Sequence, residues 1–423
     1  MVTTLLILFF VLGYIAIAFE HPLGINKAAS ALITGVICWL IYFLQAHTTD
    51  EATEHLTHHV GDIASILFFL LGAMTIVELI DSHDGFEIIT QKIKTRSKSS
   101  LLIIVSVLTF FLSALLDNLT TAIVMTSLCA KILHDKEDKL WFAGMIVIAA
   151  NAGGAWSPLG DVTTTMLWIG GQITAFNIMV KTFLASIAVC GVPLILLANK
   201  FRGKELPKTT TNKNKKTKES SIILVTGVSL LVFVPVFKTL THLPPFMGML
   251  LALGIIWVVT TLIHSDKAHD EKRKLSVATA LQKIDTPSIL FFLGILLAVA
   301  ALQSFGVLKT FATFLDNSLR NEYLIGIALG ILSAVVDNVP LVAAAQGMYD
   351  FSQFPTDHRF WEFLALTTGT GGSTIIIGSA AGVAVMGIEN IDFMWYLKKI
   401  SWLALIGFVA GVLVFITQQQ LLH

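Results

Sequence analysis

The chain has 423 residues, of which 55% are hydrophobic and only 13% charged, and its mean hydropathy is +0.79. Lys+Arg and Asp+Glu balance at 28 each, so there is no basic surplus for nucleic acid. These values exclude a soluble domain and indicate a polytopic helical protein with lipid as its surroundings.

Apolar stretches that approach or exceed the ~20 residues needed to cross a bilayer as a helix fall at about 3–19, 26–46, 62–80, 101–133, 140–168, 178–199, 221–238, 244–264, 286–308, 323–349, 360–388 and 394–416. The first, MVTTLLILFFVLGYIAIAF, lacks a positive leading region and an evident cleavage site, and is expected to stay as a helix. Cys38, Cys129 and Cys190 all lie in apolar segments and read as small core residues. The segment HTTDEATEHLTHH at 47–59 carries four histidines and three acids. pH sensing or metal trapping is conceivable there, but a solvated loop is the simpler expectation. Glu78 and Asp81 close the third span. An interfacial position is expected for both, with Glu78 the candidate at the cytoplasmic mouth of an ion path.

Segments 101–133 and 323–349 each carry Asp-Asn near the middle, and 140–168 and 360–388 each carry a glycine-rich break. They belong to an internal repeat. DIASILFFL at 62–70 returns as DTPSILFFL at 285–293, SALLDNL at 113–119 as SAVVDNV at 333–339, and the paired glycines of NAGGAWSPLGD as those of TGGSTIIIGS. The offsets are 223, 220 and 218. Two homologous halves are therefore expected, 1–200 and 221–423, joined by a basic cytoplasmic linker at 201–220.

If 101–133 and 323–349 are re-entrant hairpins, each half has five crossings, and the odd number inverts the second half. Two crossings plus a turn need ~40 residues or more, whereas 323–349 has 27. With the basic loop 81–99 (Lys92, Lys94, Arg96, Lys98) inside, this topology puts 23 of the 28 Lys+Arg inside and five outside, as the positive-inside rule asks. Both termini then lie outside. The expected fold is an all-α integral membrane protein of two inverted repeats, each of five transmembrane helices plus a re-entrant hairpin, with one broken helix per repeat.

A hairpin tip at membrane depth leaves backbone N–H groups unpaired. Asp117, Asn118, Thr120 and Thr121, and Asp337 and Asn338 before Pro340, are the types that cap a returning arm. A carboxylate used twice at matching positions suggests that charge is needed as well, because such a group is costly in a bilayer. In the first broken helix, Asn151, Ser157, Asp161, Thr163 and Thr164 supply oxygens around Gly153, Gly154, Pro158 and Gly160. In the second, Thr370, Ser373, Thr374 and Ser379 do so without an acid. Unwound carbonyls and half-helix ends in such places coordinate Na⁺ or accept protons. The presumed core holds Asp117, Asp161 and Asp337 and no Lys or Arg, which suits a hard cation with oxygen ligands. An aspartate that holds either H⁺ or a cation, but not both, is the simplest antiport chemistry.

At SALLDNLTTA, GGAWSPLGDVTTTMLW, SAVVDNVPLVAA and GTGGSTIIIGSAAGVAVMG the chain resembles the NhaD-type sodium/proton antiporters of the ion transporter superfamily, over essentially its whole length. The resemblance implies Na⁺ or Li⁺ export in exchange for protons, pH homeostasis and no cofactor or enzymatic activity. It also implies a bacterial inner membrane and a homodimer with an elevator-like moving part. It makes Asp117, Asn118, Thr120, Asn151, Asp161, Thr163 and Thr164 functional, with Asp337 and Asn338 as mirror partners. Dicarboxylate members of the superfamily have Ser-Asn-Thr at the tips, so Asp-Asn here departs toward cations. Two rivals are an anion carrier of the same fold (dicarboxylate, citrate or arsenite) and an intramembrane aspartyl protease. The second rests on Leu159-Gly160-Asp161 and on paired aspartates that share a proton.

Overall fold

The computed structural model describes residues 2–46, 48–90, 95–206, 218–265 and 267–422. His47, Lys92, Lys94 and most of the 201–220 linker lie outside the described residues. Among the described residues the chain is helical apart from turns and a single bridge between Ser97 and Glu205.

The helices used below are, in chain order, α1 (Val2–Ala18), α2 (Lys27–Gln45), α3 (Thr49–Ser82), α4 (Lys98–Leu116), α5 (Asn118–Ile132), α6 (Lys136–Gly154), α7 (Val162–Ile169), α8 (Ala175–Lys200), α9 (Lys218–Thr241), α10 (Pro245–Ile263), α11 (Thr286–Ser304), α12 (Val307–Leu319), α13 (Glu322–Leu332), α14 (Asn338–Met348), α15 (Arg359–Gly371), α16 (Ala380–Glu389) and α17 (Ser401–Leu422). Eight of them, α2, α3, α4, α8, α9, α10, α11 and α17, are long and apolar enough to cross a membrane. Their outer faces are apolar too. Ile33, Val36, Leu40 and Leu44 of α2 recur at helical spacing and are 57–79% exposed, an arrangement that only lipid makes favourable. The protein is an all-α integral membrane protein.

Two hydrophobic cores organise the bundle. One centres on α2 and α11, the other on α4, α6, α8 and α17. α2 and α11 cross at Gly35 and Gly294, where a Cβ on Gly35 would stand 2.5 Å from the Gly294 carbonyl oxygen. Small residues let membrane helices approach this closely.

One expectation is corrected here. The histidine-rich segment is not a loop: α3 begins at Thr49 and is 34 residues long, about 51 Å at ~1.5 Å per residue. Thr48 caps it by accepting from the Glu51 N–H at 3.2 Å, and Asp50 and Glu51 sit in its first turn, where acids complement the helix dipole. Its histidines are separately engaged: His55 with the Tyr42 hydroxyl (2.7 Å), His58 with Asp62 (3.7 Å) and His59 with Ser304 (3.1 Å). The stretch between the apolar segments 286–308 and 323–349 is helical as well. Gly306, at φ +73°, turns the chain into α12.

Candidate cation site

The site is built where helices stop. α4 ends at Leu116 and α5 starts at Asn118, with only Asp117 between them. Asp117 has φ +82° and ψ 154°, a region that side chains rarely adopt. Its carboxylate accepts from the Thr120 N–H and the Thr120 hydroxyl, both at 2.8 Å. One of the orphan backbone donors expected at a helix start, and a side-chain hydroxyl, thus lie under one acid. The second hairpin differs. α13 ends at Leu332, and Asp337 caps α14 through a single bond from the Val339 N–H at 3.2 Å.

The broken helices have the same outline. α6 stops at Gly154 and α7 starts at Val162, capped by Asp161. α15 stops at Gly371 and, after a short 3₁₀ turn, α16 starts at Ala380, capped by Ser379. Contacts around the breaks occur in matching pairs. The Ser113 hydroxyl donates to the Ala150 carbonyl and that of Ser333 to the Thr368 carbonyl, both at 2.6 Å. A Cβ on Gly153 would stand 2.2 Å from the Phe110 carbonyl oxygen, and one on Gly371 2.0 Å from that of Gly330. The helices that follow the two Asp-Asn turns cross over: α5 packs on α16, and α14 packs on α7.

This crossing brings both tips to one carboxylate. Asn118 Nδ2 donates to Asp161 Oδ2 at 2.8 Å and to Asn151 Oδ1 at 3.0 Å. Asn338 Nδ2 lies 3.3 and 3.4 Å from the two Asp161 oxygens. Thr163 gives Asp161 Oδ1 its N–H at 2.9 Å and its hydroxyl at 3.0 Å. Asn151 Nδ2 reaches the second break, donating to Ser373 Oγ at 2.9 Å and Ser379 Oγ at 3.0 Å. All of these side chains are buried.

Of the residues singled out in the sequence, Asn118, Asn151, Asp161, Thr163, Asn338, Ser373 and Ser379 therefore form one connected network, with Asp117 and Thr120 next to it in sequence. Ser157, Thr164 and Thr370 spend their hydroxyl protons on the carbonyls of Ala114 (2.5 Å), Asp161 (2.9 Å) and Leu366 (2.6 Å). Glu78 lies 3.1 Å from the Lys283 ammonium and accepts from Ser82. A core free of Lys and Arg is not what the structure has: the Lys27 ammonium sits 3.7 Å from Asp337 Oδ2. Lys27 opens α2, far from Asp337 in the chain, so neither local pattern nor hydropathy signalled the pair.

A cavity of about 200 Å³ adjoins this network. Glu20, Lys27, Asp285 and Ser288 line it, together with Leu119 and Ala380. Leu119 follows the Asp117-Asn118 tip and Ala380 follows Ser379, so the cavity touches the first turns of α5 and α16. Its acids are Glu20 and Asp285 rather than Glu78. The sequence reading also passed over Glu362, an acid 1% exposed on α15 that accepts from Asn177 and Gln419. Its only signal is one acid within RFWEFLAL.

Chemically, one carboxylate is ringed by amide and hydroxyl groups at the facing ends of four half-helices. These groups turn donor hydrogens to the carboxylate, and the same side chains, with Ser373 and Ser379, carry the hard oxygens that suit a small hard cation. Protonating the carboxylate removes the charge that would hold the ion.

Comparison with known proteins finds membrane transporters throughout. Residues 14–371 match the family described as Citrate transporter (CitMHS). "Sodium/proton antiporter 1" of Arabidopsis thaliana is 48% identical over 417 residues, covering 98% of this chain and 72% of the relative. "Sodium/proton antiporter 2" of the same plant is 43% identical, covering 97% and 98%. "Na(+)/H(+) antiporter NhaD" of Vibrio cholerae is 28% identical, covering 96% and 90%. The chain belongs to the citrate transporter family and, within the ion transporter superfamily, to its NhaD-type sodium/proton antiporters.

Proposed function

We propose that the protein is a secondary Na⁺(Li⁺)/H⁺ antiporter in which the ion and the proton compete for the Asp161 carboxylate, with Asp117 beside it. The observation that carries this reading is the convergence of Asn118 and Asn338, from two hairpin tips, on Asp161 at a helix break. An ion bound there would draw on the oxygens of Asp161, Asn151, Thr163, Ser373 and Ser379. A proton on Asp161 would release it. Each ion that leaves by one face is then matched by a proton returning to the same acid.

The paired contacts of Ser113 with Ser333, and of Gly153 with Gly371, support two repeats, 1–200 and 221–423. The segregation of Lys and Arg supports their inversion, with the hairpins re-entrant, the linker cytoplasmic and the termini on the opposite face. An energised membrane such as a bacterial inner membrane suits this exchange.

The family's description and the Lys27 ammonium favour one second reading, an anion carrier. Everted vesicles holding an acid interior and a quenched dye separate the two. Na⁺ or Li⁺ should dissipate the gradient in wild type and not in Asp117→Asn. A response to citrate or succinate and none to any cation would replace the antiport reading with the anion carrier.

A further inference from the structure

The two hairpin tips read DNLT and DNVP. The difference at the fourth position changes what each acid can do. Thr120 gives Asp117 an N–H and a hydroxyl. At the matching place Pro340 has neither. Asp337 is left with the Val339 N–H at 3.2 Å, although its side chain is only 13% exposed. A carboxylate so poorly supplied with donors needs a counter-charge.

Lys27 provides one. Its Nζ lies 3.7 Å from Asp337 Oδ2 and 4.5 Å from the centroid of the Phe291 ring. The root of the side chain is fixed as well. Glu20 accepts from the Lys27 N–H at 3.1 Å, and Asn26 caps the next N–H of α2 at 2.9 Å. The Tyr14 hydroxyl is buried against the backbone and carboxylate of Asp337. The Asp337 carboxylate and the Tyr14 hydroxyl thus make a second cation position, and the tethered ammonium of Lys27, whose residue also lines the cavity, fills it.

The first half has no such plug. Adding the repeat offsets of 218–223 to residue 27 lands on residues 245–250, PFMGML, which contain no cation. Asp117 makes no ion pair among the described residues.

We infer that Lys27 is a built-in counter-cation that occupies the ion position at Asp337, so that each protomer carries a transported cation only at the Asp117–Asp161 side. The inference rests on the antiport reading above and deepens it. The two repeats share a fold, yet only one of them is open to the transported ion. Removing the ammonium while leaving Asp337 should open the second position, because the carboxylate, the Tyr14 hydroxyl and the cavity all remain.

The test is the number of ²²Na⁺ bound per protomer by the purified full chain at saturation, together with the steepness of the Na⁺ dependence of proton movement. Wild type and Lys27→Arg should bind one ion, with a Hill coefficient near one. Lys27→Gln should bind two. Lys27→Gln/Asp337→Asn should return to one. A purely structural lysine would alter stability but create no new ion. Two ions in wild type, or one in folded Lys27→Gln, would overturn the inference and leave antiport standing. If Lys27→Gln does not fold, Lys27→Met, which also removes the ammonium and keeps Asp337, decides: two ions support the inference and one overturns it. A wild type that binds no Na⁺ at all overturns the antiport reading itself.

Discussion

Asp161→Asn isolates the central carboxylate with almost no change of shape. One oxygen of the new amide can still cap α7, because Asp161 Oδ1 holds the Thr163 N–H and hydroxyl. The other position becomes an NH₂ facing the amide groups of Asn118 and Asn338, which donate to Oδ2 at 2.8 and 3.3 Å. Two bonds to a charged acceptor are lost, each worth ~1.5–3 kcal/mol. The gain from no longer burying a charge offsets part of this. Asn118 also keeps its bond to Asn151. A net loss of about 2–4 kcal/mol is expected. Na⁺ adds a second readout. A ligand present at 100 times its Kd stabilises the folded state by ~2.7 kcal/mol. Thermal unfolding of purified protein in detergent, followed with rising Na⁺ at constant ionic strength, should show this gain in wild type and none in Asp161→Asn. If the variant matches wild type in stability, the two tip amides do not depend on this acid. If it keeps the full Na⁺-dependent gain, Asp161 does not hold the ion.

Three further outcomes follow from local geometry. Asp117→Gly relieves a backbone strain of ~1–3 kcal/mol at φ +82° while losing a cap worth ~1 kcal/mol, so it should melt at or above Asp117→Asn and yet move no protons in response to Na⁺; a Gly variant that transports would refute the role of the acid. Gly153→Ala and Gly371→Ala, whose Cβ atoms would meet carbonyl oxygens at 2.2 and 2.0 Å, should each cost ~1–3 kcal/mol in thermal unfolding, whereas Gly191→Ala in α8, which meets nothing within 4 Å, should stabilise by ~0.5–1 kcal/mol. At the ends of α3 and α10, His83 and His264 stack with their Nε2 atoms 3.1 Å apart, and burial lowers both from the usual 6.5; the folded state then binds protons less readily than the unfolded one, so stability is complete above pH ~6.5 and falls as pH drops below it, a slope that His264→Gln should flatten in melting curves between pH 8 and 5.5.

Much of the site was legible because its signals are expensive. Asp-Asn inside apolar segments and paired glycines, the first pair with Pro158 nearby, interrupt helices at a cost that lipid does not forgive, and those places are where α4, α6 and α15 stop. The repeat offsets likewise point to Gly153 and Gly371, whose environments match. The start of α3 was illegible for the opposite reason. TDEATEHLTHH is mostly polar and offers only Ala52 and Leu56 to the core, too thin an apolar stripe for a helix to be read from it, and its helix rests on a cap and on continuity with the span that follows. The Lys27–Asp337 pair and the Asn118–Asp161–Asn338 convergence join residues far apart in the chain. Nothing in the neighbourhood of Lys27 distinguishes it from an interfacial lysine. Only the packing of α2 on α11 and α14 on α7 brings such groups together. Pro340 was readable as a helix-starting residue, but its consequence, an acid short of donors, emerges only beside Thr120.

The most direct test uses purified protein in liposomes with an imposed pH gradient. Uptake of ²²Na⁺ and of labelled citrate is followed in parallel, for wild type and Asp161→Asn. Antiport at the shared carboxylate predicts ²²Na⁺ uptake into acid-loaded vesicles by wild type, coupled to alkalinisation of the lumen, and neither in Asp161→Asn. Citrate uptake without ²²Na⁺ movement, or ²²Na⁺ uptake that Asp161→Asn leaves intact, would contradict it.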